Sequence, residues 1–149
     1  MVSKILVATD GSEVALKSLE YAADLAKQTG AMIILLSVVE KGFVIPVSIP
    51  NVAAPTHLIE PVEDYLKQMA EAYIQQAEKF CKGKEIPTRR VIRSGHPVEE
   101  IIREAEESRV DLIVLGSHGK SALKAAVLGS VTFGVIHKDT KIPVLVVRR

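Results

Sequence analysis

Two short stretches of this sequence carry residue types and spacings that could do chemistry. The first is LGSHGKSALKAAVLGSVT, residues 115–132, in which Gly116, Gly119 and Gly129-Ser130 form Gly-x2-Gly-x9-Gly-Ser. Glycines let main-chain N–H groups approach an anion without interference from a Cβ, and a helix N-terminus adds unpaired amides and a positive dipole end. Ser130 stands where an N-cap is expected and Thr132 in the turn that follows, so both hydroxyls could donate to phosphate oxygens. By spacing alone, an anion cradle and a glycine loop whose Ser130 only caps its own helix are both open readings.

The second stretch is Ala8-Thr9-Asp10-Gly11-Ser12, directly after the first apolar run. Asp10 could accept from a ribose hydroxyl or hold a cation that bridges phosphates. It could equally cap the first helix, a role that Ser12 is also placed to fill. The Gly119-Lys120-Ser121 triplet is a decoy. A P-loop would need glycine at position 114, where Val114 stands inside a strand-like run.

The elements that must hold these stretches alternate along the chain. Lys4–Ala8 reads as a strand. A helix from Glu13 to Gly30 follows, with Ala15, Leu19, Ala22, Ala23 and Ala26 on one face. Residues 31–39 are nearly all apolar, as in a strand covered on both sides. Pro61–Lys82 predicts a helix with Pro61 in first position and Leu66, Met69, Tyr73, Ala77 and Phe80 buried. A strand near Thr88–Arg93, a helix over Pro97–Ser108, a strand at Asp111–Leu115, a helix at Ser130–Lys138 and a strand at Ile142–Val147 complete the pattern. This alternation predicts one α/β domain over residues 1–149, a doubly wound five-stranded parallel sheet with helices on both faces. With strand order 3-2-1-4-5 the first and fourth strands are neighbours, and the Asp10 turn and the glycine loop face each other across one crevice. Residues 40–60 carry Pro46, Pro50 and Pro55 among Val, Ile and Ala, so neither helix nor strand persists; their apolar content favours a segment that packs on a partner subunit or ligand.

Composition excludes several classes. Nineteen basic and eighteen acidic residues leave a formal charge of +1, which argues against a nucleic-acid surface. The single cysteine, Cys81, permits no internal disulfide and reads as a small apolar helix residue. His57, His96 and His137 make no metal-ligand spacing with one another or with Cys81. His118 reads as a solvent-facing polar residue. Lys120 and Lys124 read as solvated lysines that could also neutralise phosphate, and Arg89, Arg90 and Arg93 as an exposed sheet edge. No run is long enough for a membrane span and no export signal opens the sequence, so a cytoplasmic protein is expected.

These features together resemble the universal stress protein family, and within it the ATP-binding subgroup, from end to end. The family signature Gly-x2-Gly-x9-Gly-Ser/Thr is met by Gly116, Gly119, Gly129 and Ser130. Thr9-Asp10 after the first strand, Leu36-Ser37-Val38, Gly95-x-Pro97 and Pro143-Val-Leu-Val-Val147 also match. The resemblance implies an adenine nucleotide alpha hydrolase-like fold that binds ATP with Mg2+ or Mn2+. It places Ala8, Thr9 and Asp10 against adenine, ribose and metal, and Val38 against the base. Gly116, Ser117, Gly119, Gly129, Ser130, Val131 and Thr132 would surround ribose and triphosphate. It further implies a homodimer paired through Val144, Leu145, Val146 and Val147, and a nucleotide-dependent switch or sensor in stress response that acts on a downstream protein. A slow ATPase, with Asp10 the sole candidate residue, and a module for AMP or another adenine nucleotide are the alternatives. The sequence departs from the family at Phe133-Gly134, where a charged residue is common; Gly134 inside a helix should cost about 1 kcal/mol relative to alanine.

Overall fold

The computed structural model describes residues 1–40, 59–120 and 128–149. The proline-interrupted segment, apart from its ends, lies outside them, as do His57, Ser121 and Lys124. In chain order the elements are β1 (Lys4–Ala8), α1 (Glu13–Thr29), β2 (Met32–Glu40), α2 (Ile59–Gly83) and β3 (Thr88–Gly95). There follow α3 (Pro97–Glu107), β4 (Leu112–Gly116), α4 (Ser130–His137) and β5 (Val144–Val147). The five strands form one parallel sheet in the order β3-β2-β1-β4-β5, as the alternation predicts. None of the helices of the described residues is long and apolar enough to cross a membrane.

Strand alternation divides the core between the two faces of the sheet. Ile5, Val7, Ile33 and Leu35 point to α1 and α2, while Leu6, Ile34 and Leu36 point to α3 and α4. The three interior strands, β2, β1 and β4, are covered on both sides, which is why their sequences are nearly continuously apolar. β1 is held at its start by Asp111, whose Oδ2 accepts from Ser3 N at 2.8 Å, Lys4 N at 3.0 Å and Ser3 Oγ at 3.0 Å. Those hydrogen bonds, from Ser3 N first, hold the Asp111 carboxyl below its ordinary range.

Each helix starts and stops for a local reason. Ser12 Oγ accepts from Ala15 N at 3.1 Å and caps α1; Gly30, at φ 73, closes it with its N–H on Ala26 O. α2 begins two residues before Pro61, which is tolerated inside the first turn because its missing N–H would have had no intrahelical acceptor. The inward line of α2 differs from the expected one. It runs through Ala70, Ile74, Ala77 and Cys81, while Leu66, Met69, Tyr73 and Phe80 are half-buried at its flanks. Small residues on that line let the helix lie close to the sheet. Burial pushes the Cys81 thiol up to about 11, with nearby Glu78 adding to it, so the cysteine is the inert packing residue it resembles.

The arginines of β3 do lie on an edge strand, and they are tied down. Arg93 Nε donates to Glu104 Oε2 at 2.8 Å, Arg89 donates to Glu104 Oε1 at 3.0 Å, and Arg90 pairs with Glu71. Glu100 and Glu104 on α3 are therefore buried as paired charges. Burial opposes ionisation of Glu104. Hydrogen bonds from Ser108 and Arg93, with the charges of Arg93 and Arg89, outweigh it and hold the carboxyl below its usual range.

Gly134 has a packing role beside its weak helix propensity. A Cβ there would stand 2.6 Å from Val98 Cγ2, so α4 crosses α3 at a distance only glycine permits. Its poor helix propensity is offset by that close approach.

Candidate functional site

Crossovers run one way from β1 to β2 and the other way from β4 to β5, which opens a crevice at the carboxyl ends of β1 and β4. The two turns meet there. Asp10 Oδ1 accepts from Ser12 N at 2.9 Å, and Oδ2 accepts from Lys120 N at 3.0 Å. Asp10 thus shapes its own turn and ties it to the glycine loop, while Ser12 caps α1. Thr9 N donates to Leu36 O at 2.8 Å, which anchors the turn to β2 as well.

The glycines do different work. Gly119 is pressed on Asp10, where a Cβ would stand 2.6 Å from Oδ2. At Gly129 a Cβ would be 3.3 Å from His118 Cα, and Gly129 N donates to Ser117 O at 2.7 Å. At Gly116 the nearest atom would be Val14 Cγ1 at 2.7 Å, so this glycine seats α1 against β4 in addition to lining the cleft.

Two expectations for the hydroxyls change. Gly129 is the N-cap of α4, its carbonyl accepting from Phe133 N at 2.9 Å. Ser130 is instead the first helical residue and makes no capping bond. Thr132 is buried, and its Oγ1 donates to Gly116 O at 2.7 Å. Its one proton is thereby committed to the strand end and is not offered to a ligand. α4 therefore starts without a side-chain cap, beside a crevice that Ser130, Val131 and Thr132 line.

Ala8, Asp10, Gly116, Gly119, Gly129, Ser130, Val131 and Thr132 line this cleft together. Glu40, Ile101, Leu115 and His118 join them. Three residues of the sequence reading lie elsewhere. Thr9 lines a hollow between α1 and α2, Ser117 is buried beneath the loop, and Val38 lines an adjoining hollow with Tyr65, Met69 and Lys120. Glu40 lines both the cleft and that hollow, which makes them neighbours. Glu40 escaped notice because β2 runs one residue past its apolar run; Ile101 because an inward apolar residue on α3 carries no functional mark. His118 is half-buried, its Nδ1 2.8 Å from Ser117 Oγ, and so is not simply solvent-facing. Among the described residues no three His, Cys, Asp or Glu side chains converge to hold a metal ion.

A profile of the universal stress protein family matches residues 1–148. The chain belongs to the universal stress protein family. Its likeness to other universal stress proteins runs the whole length. It is similar to universal stress protein YxiE of Bacillus subtilis, 35% identical over 149 residues that cover 99% of this chain and 100% of that one. It is also similar to universal stress protein MJ0577 of Methanocaldococcus jannaschii, 36% identical over 157 residues, 100% of this chain and 96% of that one. The solved MJ0577 structure superposes with a TM-score of 0.80 at 34% identity, covering 100% and 97% of the two chains. Two further universal stress proteins share the fold. One, in complex with cAMP, has a TM-score of 0.68 at 23% identity over 99% of this chain and 97% of that one. The other, from Archaeoglobus fulgidus in complex with dAMP, has a TM-score of 0.66 at 19% identity over 99% and 98%.

Proposed function

We propose that this universal stress protein binds an adenine nucleotide, ATP with Mg2+ or Mn2+ foremost, in the cleft between the β1 and β4 turns. The observation that carries the reading is the start of α4. Gly129 gives it no side-chain cap, so the amides of Ser130, Val131 and Thr132 are left for an anion beside Gly119, where no Cβ fits. The cAMP and dAMP complexes of relatives with the same fold support an adenine nucleotide as that anion. Val38, in the adjoining hollow, is the proposed contact for the base, and Ala8, which lines the cleft, the proposed border of the ribose end.

Asp10 is the proposed metal contact. Each of its oxygens accepts one main-chain N–H and keeps a lone pair. With no further carboxylate or histidine converging on it among the described residues, the remaining ligands of a Mg2+ or Mn2+ ion would be phosphate oxygens and water. Such an ion would neutralise triphosphate charge next to Asp10.

The proposed role is that of a nucleotide-dependent switch in stress response, in a single cytoplasmic domain that pairs with a second copy through β5 and is read by a downstream protein. Calorimetry with ATP, AMP and GTP, with and without Mg2+, tests the site: ATP is expected to bind, and no binding of any of the three overturns the reading. Phosphate release that is sustained in pure protein and lost in Asp10→Ala would replace the binder with a slow ATPase.

A further inference from the structure

The described lining of the cleft supplies little positive charge for a polyphosphate. Its described lining holds two carboxylates, Asp10 and Glu40, and neither lysine nor arginine. Lys120 stands at its rim with its main chain fixed, the N–H donating to Asp10 Oδ2 at 3.0 Å. Its side chain, however, turns away from the cleft into the adjoining hollow. There Nζ donates to the Tyr73 hydroxyl at 2.6 Å and stands 4.3 Å from the centroid of the ring.

Tyr73 belongs to α2, and it touches the other turn as well. Gly11, at φ +77, packs so closely on it that a Cβ would stand 2.3 Å from Cε1 of the ring. One tyrosine therefore ties α2 to both turns of the cleft. The tie falls where α2 begins to be held: from Pro61 to Met69 every side chain is exposed or half-buried, and Ala70 is the first buried one.

The phenol oxygen of Tyr73 is a neutral acceptor, so only the donor of its bond to Lys120 is ionised; a phosphate oxygen would add an opposite charge that the phenol lacks. The four-carbon stem of a lysine lets its ammonium exchange partners about a fixed Cα. A single phosphate can be satisfied by the amides that open α4. Further phosphates add charge that those amides cannot match. Among the described residues Arg149, 3.4 Å from His118 Nε2, and Lys120 stand beside the lining, and Lys120 is the one whose main chain is tied to Asp10. Resting on the nucleotide reading of the cleft, we propose that Lys120 distinguishes polyphosphate from monophosphate nucleotides, leaving Tyr73 for the outer phosphates and so releasing the first half of α2.

Calorimetry of MgATP and AMP in the wild type, Lys120→Gln and Tyr73→Phe, with hydrogen exchange over residues 61–72, tests this. Lys120→Gln should lower the ATP-to-AMP affinity ratio roughly tenfold, the worth of one charge-assisted hydrogen bond. Tyr73→Phe keeps the ring on Gly11 but removes the competing hydroxyl, so it should raise the ratio about twofold or more. Exchange over 61–72 should quicken when ATP binds the wild type, and should be quick without nucleotide in Tyr73→Phe. If Tyr73→Phe weakens ATP, or Lys120→Gln leaves the ratio unchanged while both nucleotides bind, the exchange of partners is wrong and the nucleotide site stands. If the wild type binds neither nucleotide, the site itself fails and this proposal with it.

Discussion

Gly119 lies against the carboxylate of Asp10 with no space for a side chain: an added Cβ would stand 2.6 Å from Oδ2. The next residue, Lys120, donates its N–H to that same oxygen at 3.0 Å. A turn after β1 and a turn after β4, 110 positions apart in the chain, are thus locked by one carboxylate. The crevice between them keeps its shape through that contact, and the consequences for substitution are direct.

Gly119→Ala must push the Asp10 carboxylate aside or break its bond to Lys120. Nucleotide affinity should fall at least about tenfold, since one charge-assisted bond is lost and the cradle is distorted. The melting temperature should change little, because both residues sit at the surface end of the sheet. Affinity equal to the wild type in calorimetry would place the ligand elsewhere.

Gly134→Ala sets propensity against packing. Helix propensity alone gives a gain of about 1 kcal/mol, whereas forcing a methyl group into Val98 costs about 1–3 kcal/mol. The close contact should win, so urea unfolding is expected to show a net loss of about 1 kcal/mol. A stabilised variant would mean that α4 moves freely off α3.

Acid should unfold the protein partly through Glu104. Its folded carboxyl is held below the ordinary range, so at low pH the unfolded chain takes up the proton first. The stabilisation is complete above the unfolded value, about 4.3, and is lost as pH falls through the lower folded value. Asp111 acts with the same sign. Glu104→Gln should lose about 2 kcal/mol at pH 7, the worth of a hydrogen bond to a charged group, and show a shallower decline in acid, measured as urea midpoints between pH 3 and 7. Parallel pH curves for variant and wild type would exclude Glu104 as a source of the slope.

The proposed pairing through β5 is testable at one main-chain atom. Pro143 O and Val147 O accept from Ile113 N at 2.9 Å and Ser117 N at 2.8 Å, so these alternate residues turn inward to β4. By the same alternation Val144 and Val146 turn their main-chain groups outward. Val146→Pro removes an outward N–H and leaves the inward ladder alone. Sedimentation velocity should then give a dimer for the wild type and a monomer for the variant; a dimer that survives in the variant would rule out pairing at β5.

Sequence patterning carried the sheet order and the meeting of the two turns, because apolar runs, helix starts and the direction of crossovers are all local or topological signals. What it missed depends on distances between segments. Nothing local sets Gly134 apart from a helix-weakening glycine until Val98 is beside it. Ser130 carries the favoured N-cap side chain, yet Gly129 takes that position and Ser130 is the first helical residue. Tyr73 reads as one more apolar residue of α2, and only its contact with Gly11 and Lys120 gives it a separate meaning. Glu100 and Glu104 sit on the inward face of α3 and are legible as buried only once the arginines of β3 lie across from them.

The clamp of Asp111 on Ser3 and Lys4 also bears on how the chain is made. Of these five strands β1 is the first to be synthesised, yet it ends in the middle of the sheet, with β4 on one side and β2 on the other. Until β4 and Asp111 emerge, one edge of β1 has no strand to pair with and its amino end has no carboxylate to bind. A nascent chain that stops after α3 would thus present an open, apolar edge, Ile5 to Val7, to any chaperone or neighbouring chain.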